Sequence, residues 1–191
     1  MGNEDDLNAS IAHVVLCCVA GRGISAVRSN SFTPPGMHAN LFIHGVIGFL
    51  HYQSNTFNSD FKPAYNISYK ASRYLPLPCL MADLYRGNNN LSIVHLASGV
   101  IPFVLALAGK DDRDLGNLMI AGNIISLCHY SIEHKNEWGW CTAGAAVFAY
   151  FLTAQMGPKV MYPLGLALME YCAYRVFYLQ RDTTQPPPPR S

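Results

Sequence analysis

His13, His44, His51, His95 and His129 all fall within or at the ends of long uncharged stretches, and they are the most chemically suggestive residues in this chain. Imidazole is a general-purpose base and a common metal ligand. His44 and His51 are seven residues apart, about two turns of helix, so one helical face presents both. Paired imidazoles from neighbouring helices can grip a b-type haem when they share a level, which makes His13, His51, His95 and His129 the candidate bis-histidine haem or metal ligands. The competing assignment is interfacial histidine, bonded to headgroups or nearby backbone, which costs far less than an ionisable group in hydrocarbon. No resident cofactor is expected on that assignment. A membrane desaturase would need clustered histidine boxes with adjacent His pairs, and the chain offers only His129 and His134. The H-E-x-x-H pattern of a zinc protease is absent as well.

Glu170 and Arg175 interrupt the last apolar stretch. An intramembrane charge is a functional candidate by default, so Glu170 is the candidate transport residue for a proton or cation. At a spacing of five residues the two project about 140° apart and are poor partners for each other. Arg175 lies near a span end and can snorkel, while Glu170 either stays protonated or pairs with another helix, such as the one carrying Arg22. Six cysteines, Cys17, Cys18, Cys79, Cys128, Cys141 and Cys172, are scattered without C-x-x-C spacing and read as buried small hydrophobes. The layout of short hairpins with histidines near span ends resembles the di-haem membrane cytochromes of the b561 type in general arrangement, without their specific motifs.

An internal repeat ties the histidines to the elements that must position them. Asn8-Ala9-Ser10-Ile11-Ala12-His13 and Asn90-Leu91-Ser92-Ile93-Val94-His95 share Asn-x-Ser-Ile-x-His. Ile47 to Tyr52 and Ile125 to Tyr130 share Ile-x-x-x-His-Tyr. The two ordered matches describe a duplicated helical hairpin whose length difference falls in its loop, where changes are cheapest. Each hairpin places its opening and closing histidines at one level.

Those hairpins belong to a chain of 191 residues with only 13% charged residues and 50% hydrophobic ones. A soluble domain carries about 25% charged residues, so this one lacks the polar surface to face water. The net charge of +1 leaves no basic excess for a nucleic-acid backbone. The charges gather between uncharged runs near the roughly 20 residues that cross a bilayer. The pattern predicts an all-α integral membrane bundle with six spans, at about 11–27, 37–53, 91–109, 115–132, 138–156 and 160–179. An acidic tail at 1–10 precedes them, and a Pro-rich tail at 180–191, extended and solvated, follows. Polar connectors at 110–114 and 133–137 force antiparallel hairpins.

The short apolar piece 75–84, weakened by Pro76, Pro78 and Asp83, reads as interfacial or re-entrant, with a seventh span as the alternative. Without a crossing there, all four histidines line one face; with one, the hairpins are inverted. Six spans also put Lys62, Lys70, Arg73, Arg86, Lys135, Arg181 and Arg190 on one side against Arg28, Lys110, Arg113 and Lys159, which favours cytosolic termini. Glycan attachment at the Asn66 sequon would place that loop in the lumen and rule six spans out. The sequence therefore predicts a multi-pass membrane protein whose span lengths favour thin endomembranes such as ER or Golgi over the plasma membrane. It would act without catalysis, through helix packing with lipid or membrane partners. A haem-binding electron carrier and a small transporter using Glu170 are the alternatives.

Overall fold

A computed structural model describes residues 6–26, 36–153 and 156–184. The first residues of the acidic tail, Arg28, Pro34 and Pro35, and most of the Pro-rich tail lie outside the described residues. The described chain is all helix, without a strand: α1 (Leu7–Ala26), α2 (Gly36–Tyr52), α3 (Lys62–Tyr74), α4 (Pro76–Leu84), α5 (Asn89–Leu107), α6 (Arg113–Glu133), α7 (Glu137–Val147), a π-turn (Phe148–Leu152) and α8 (Pro158–Thr184). Among the described residues, Leu7–Ser25, Asn89–Leu107 and Arg113–Glu133 are long and apolar enough to cross a membrane.

Side-chain caps set several of the helix starts. Asp6 accepts the Ala9 amide at 3.1 Å, and Asn88 accepts that of Leu91 at 3.3 Å. In the two predicted connectors, Asp112 accepts from Asp114 and Leu115, and Asn136 from Trp138. Each side-chain oxygen satisfies amides that the first helical turn leaves without a partner. The charged connectors are thus the helix signals themselves. The Asp6 amide also donates to the Tyr52 carbonyl at 3.0 Å, which fastens the start of α1 to the end of α2.

The segment 75–84 does not lie on the bundle surface as an interfacial helix would. In α4 every residue but Asp83 is buried, against α2, α5 and α6. Nor is α4 separate from α3. The Leu75 amide donates to Ala71 and the Cys79 amide to Leu75, so the helical ladder continues through the junction. What breaks it is the absence of N–H groups at Pro76 and Pro78, which deprives the carbonyls of Ser72 and Tyr74 of their helical donors. The fold supplies a donor to the first and packs tightly over the second. Tyr150 Oη donates to the Ser72 carbonyl at 3.3 Å. Gly99 of α5 packs onto the Tyr74 carbonyl so closely that a Cβ there would come 2.6 Å from its oxygen.

α3–α4 runs the length of the bundle. It begins beside the end of α2, where Tyr52 and Tyr65 hydroxyls lie 3.3 Å apart, and ends beside the start of α5, where Ser92 Oγ donates to the Ala82 carbonyl at 2.8 Å. Two of the three basic residues of α3 find partners near the α5–α6 connector. Lys70 Nζ donates to the Ala106 carbonyl and Arg73 Nη2 to Asn117 Oδ1, both at 2.7 Å.

Candidate functional site

Three polar clusters occupy the interior. The first joins α1, α2, α3 and α8 around His13 and His44, both at 0% exposure, with ring centroids 5.4 Å apart. Tyr65 is its hub: the His44 ring stacks on it at 5.6 Å, the His51 ring at 4.4 Å, and His13 meets its edge at 6.0 Å. The expected shared face of His44 and His51 is thus turned onto one phenol. Gly48 makes the cluster possible, because any Cβ at that position would occupy the space of the His13 ring.

The hydrogen bonds fix which nitrogens carry protons. His13 Nδ1 faces the Ala9 carbonyl at 2.8 Å and must donate, since a carbonyl only accepts. Ser68 donates its hydroxyl proton to the Tyr65 carbonyl at 3.0 Å, so its oxygen accepts from His44 Nδ1 at 3.1 Å. Both Nε2 atoms are consequently bare lone pairs, buried without a partner. Among the described residues, no three His, Cys, Asp or Glu side chains are grouped to hold a metal ion.

The second cluster is an acid–base pair. Glu170 of α8 is at 0% exposure, and its Oε1 is bound by His38 Nδ1 of α2; Glu170 Oε2 is buried with no partner. Gly23 of α1 packs directly over the pair, and any side chain there would collide with Glu170 Oε1 and the His38 ring. The partner differs from the Arg22 considered from the sequence. Arg22 instead sits over the Tyr174 ring at 5.1 Å. His38 was not among the sequence candidates. The available signal was Glu170 itself, since a buried carboxylate calls for a cationic or protonated partner, and His38 is an ionisable residue at a span start.

The third cluster lies at the opposite end of α3–α4. His95 stacks on Tyr85 at 5.4 Å, and Tyr85 meets Tyr130 at 5.6 Å. His95 Nδ1 donates to Asn123 Oδ1 at 2.8 Å, and its Nε2 accepts from Ser126 Oγ at 3.2 Å. Asn123 Nδ2 in turn donates to Ser98 Oγ and the Met119 carbonyl, so the network is closed. His129 is elsewhere, its side chain 64% exposed beside Glu133. The four histidines proposed as haem ligands are therefore not brought together. His13 and His51 meet on Tyr65, while His95 has both nitrogens engaged at the far end. Arg175 lies over the Trp138 ring at 4.9 Å, apart from Glu170 in its contacts, as their spacing requires.

A family model described as "Domain of unknown function (DUF4791)" matches residues 33–181. The chain belongs to this family. The matched part takes in His38, His44, His51 and Glu170 and leaves α1, with His13 and Gly23, outside. No curated protein and no solved structure matches the chain.

Proposed function

We propose that this DUF4791 chain is a multi-pass integral membrane protein of seven spans that binds and moves a proton or small cation at Glu170. An inverted distribution of polarity supports the membrane reading. Ile43, Ile93, Ile101, Leu118, Ile125 and Ile132 are exposed, while His13, His44, Asn123 and Glu170 are enclosed. Lipid tolerates those exposed residues, and intramembrane ionisable groups characteristically face the bundle interior.

The seventh span is α3–α4. From residue 62 to residue 84 it has 23 residues (84 − 62 + 1), about 34 Å at 1.5 Å each, which suits a hydrocarbon core of about 30 Å. This reading takes the crossing alternative over six spans and puts the termini on opposite faces. It also reverses the second hairpin relative to the first. The sequence repeat fits that reversal: His13, Tyr52 and Tyr65 gather at one end, and His95, Tyr130 and Tyr85 at the other. Two related hairpins inverted about a central, broken helix form an arrangement typical of transporters. Helices of 17 to 21 residues in α2, α5 and α6 favour a thin endomembrane.

The observation that carries the transport reading is the unpartnered Oε2 of a wholly buried Glu170, whose other oxygen is held by a titratable histidine. Such a pair can pass between a neutral and an ionic form by moving one proton, and its free oxygen can receive another. Proton-driven flux in proteoliposomes tests it. Glu170→Gln, which keeps the shape and removes the titration, is expected to abolish pH-driven flux; unchanged flux would leave helix packing with lipid or membrane partners as the role.

A further inference from the structure

The Glu170 pair and the Tyr65 cluster sit toward opposite ends of α1 and α2. His38 is two residues from the start of α2 and Gly23 three from the end of α1, so the pair lies near one face of the bundle. His51 is one residue from the end of α2 and His13 six from the start of α1, so the cluster lies toward the other face. Between them α1, α2 and α8 each present a wholly buried apolar side chain, Ala20, Leu41 and Leu166, and the three belong to one core. Leu41 is three residues from both His38 and His44, and Leu166 is four residues from both Tyr162 and Glu170. Those spacings put each leucine midway between the polar groups, around its helix as well as along it. His44, whose ring meets Tyr162 at 6.1 Å, is thus separated from His38 by an apolar layer, about 9 Å along α2.

The chemistry of the cluster limits what it can hold. Hydrogen bonds at Nδ1 leave His13 Nε2 and His44 Nε2 as enclosed lone pairs, each able to take one proton. The Gly48 backbone packs so closely on the His13 edge bearing Nε2 that a Cβ there would overlap the ring. A metal ion needs room and several ligands, whereas a proton needs only the lone pair. We infer that His13 and His44 form a second proton site, which exchanges with Glu170 across the layer of Ala20, Leu41 and Leu166, and that the ion moved is a proton rather than a metal cation. A proton arriving from the His51 side adds to His44 Nε2 and makes an imidazolium that keeps its Nδ1–H bond to Ser68. It leaves from the same Nε2 through water that enters the layer and adds to Glu170 Oε2. The carboxylate becomes a carboxylic acid and His44 returns to neutral imidazole. In this conformation the leucines close the route, as hydrophobic constrictions do when they exclude water, so passage requires the layer to open. A closed layer suits a transporter, because a site open to both faces at once would leak.

The inference rests on the transport reading at Glu170. Its test measures flux through the full chain in sealed proteoliposomes at matched incorporation. His44→Gln keeps a donor for Ser68 but cannot carry a proton, and should lower pH-driven flux about a hundredfold, the lower end of what a positioned proton carrier contributes. Leu41→Ser admits water to the layer and should raise flux about fivefold, the factor one hydrogen bond of ordinary net strength supplies. Adding Glu170→Gln to Leu41→Ser should silence that gain, which separates an opened route from a leak through misfolded protein. Sodium or potassium gradients at constant pH should drive no current; a current from either would overturn the proton assignment. Flux lost in Glu170→Gln but unchanged in both His44→Gln and Leu41→Ser would leave Glu170 as the proton site and overturn this route to it. Flux absent from the wild type, or retained in Glu170→Gln, would overturn the transport reading and this inference with it.

Discussion

Tyr150→Phe removes one hydroxyl and should destabilise the bundle out of proportion to that change. Pro76 leaves the Ser72 carbonyl without a helical donor, and Tyr150 Oη supplies the replacement at 3.3 Å. Tyr150 is 3% exposed, so water has little access to take over. An unsatisfied buried acceptor costs about 1–3 kcal/mol, and the long donor distance places this one at about 1–2 kcal/mol. Pro76→Ala returns an amide to the ladder where the Ser72 carbonyl can use it. In that background Tyr150→Phe should cost no more than about 0.5 kcal/mol, giving a coupling of about 1 kcal/mol. Equilibrium unfolding of the four proteins in mixed micelles with increasing dodecyl sulfate measures the cycle. Equal costs of Tyr150→Phe in both backgrounds would refute the claim that the phenol serves the carbonyl orphaned by Pro76.

The other predictions concern the histidine sites and the path of the chain. Gly48→Leu forces a side chain into the space of the His13 ring and should destabilise by at least about 1–3 kcal/mol in the same unfolding assay; a neutral result would contradict the close approach of α1 and α2. His38→Gln leaves Glu170 buried without its partner, a loss of about 3–5 kcal/mol if the carboxylate stays charged, and adding Glu170→Gln should recover much of it. Additive losses would show that the two side chains do not interact. In a background without the six native cysteines, Lys62→Cys and Gly87→Cys should react with impermeant maleimide from opposite sides of sealed vesicles. Labelling from one side would return the count to six spans.

What the sequence revealed depended on where each polar group finds its partner. The connectors at 110–114 and 133–137 were legible because their caps are local, within three residues of the amides they satisfy. α5 and α6 were legible because their exposed faces are apolar, so hydropathy reports them directly. α3 was opaque for the opposite reason. Lys70 and Arg73 lower its hydropathy, yet their partners are Ala106 and Asn117, far along the chain. α4 read as a short piece apart from α3 because Pro76 and Pro78 mark a helix break, and the hydroxyl that bonds the Ser72 carbonyl across that break comes from Tyr150, 78 positions away.

The candidate site divides in the same way. Glu170 announced itself as a lone carboxylate in an apolar run, and the common face of His44 and His51 followed from helical spacing. Tyr65, on which both rings stack, comes from a different helix and carried no signal of its own. His38 was hidden because its partner is 132 positions away. The repeat gave His13 and His95 equivalent places, but their chemistry diverged: Asn123 and Ser126 engage both nitrogens of His95, whereas His13 keeps its Nε2 free.

The measurement closest to the central claim is pH-driven proton flux through purified protein in sealed proteoliposomes, compared between wild type and Glu170→Gln at matched incorporation. Flux in the wild type and its loss in Glu170→Gln is the predicted result. Equal flux in the two proteins, or none in either across opposed pH gradients, would contradict a proton-moving role for Glu170.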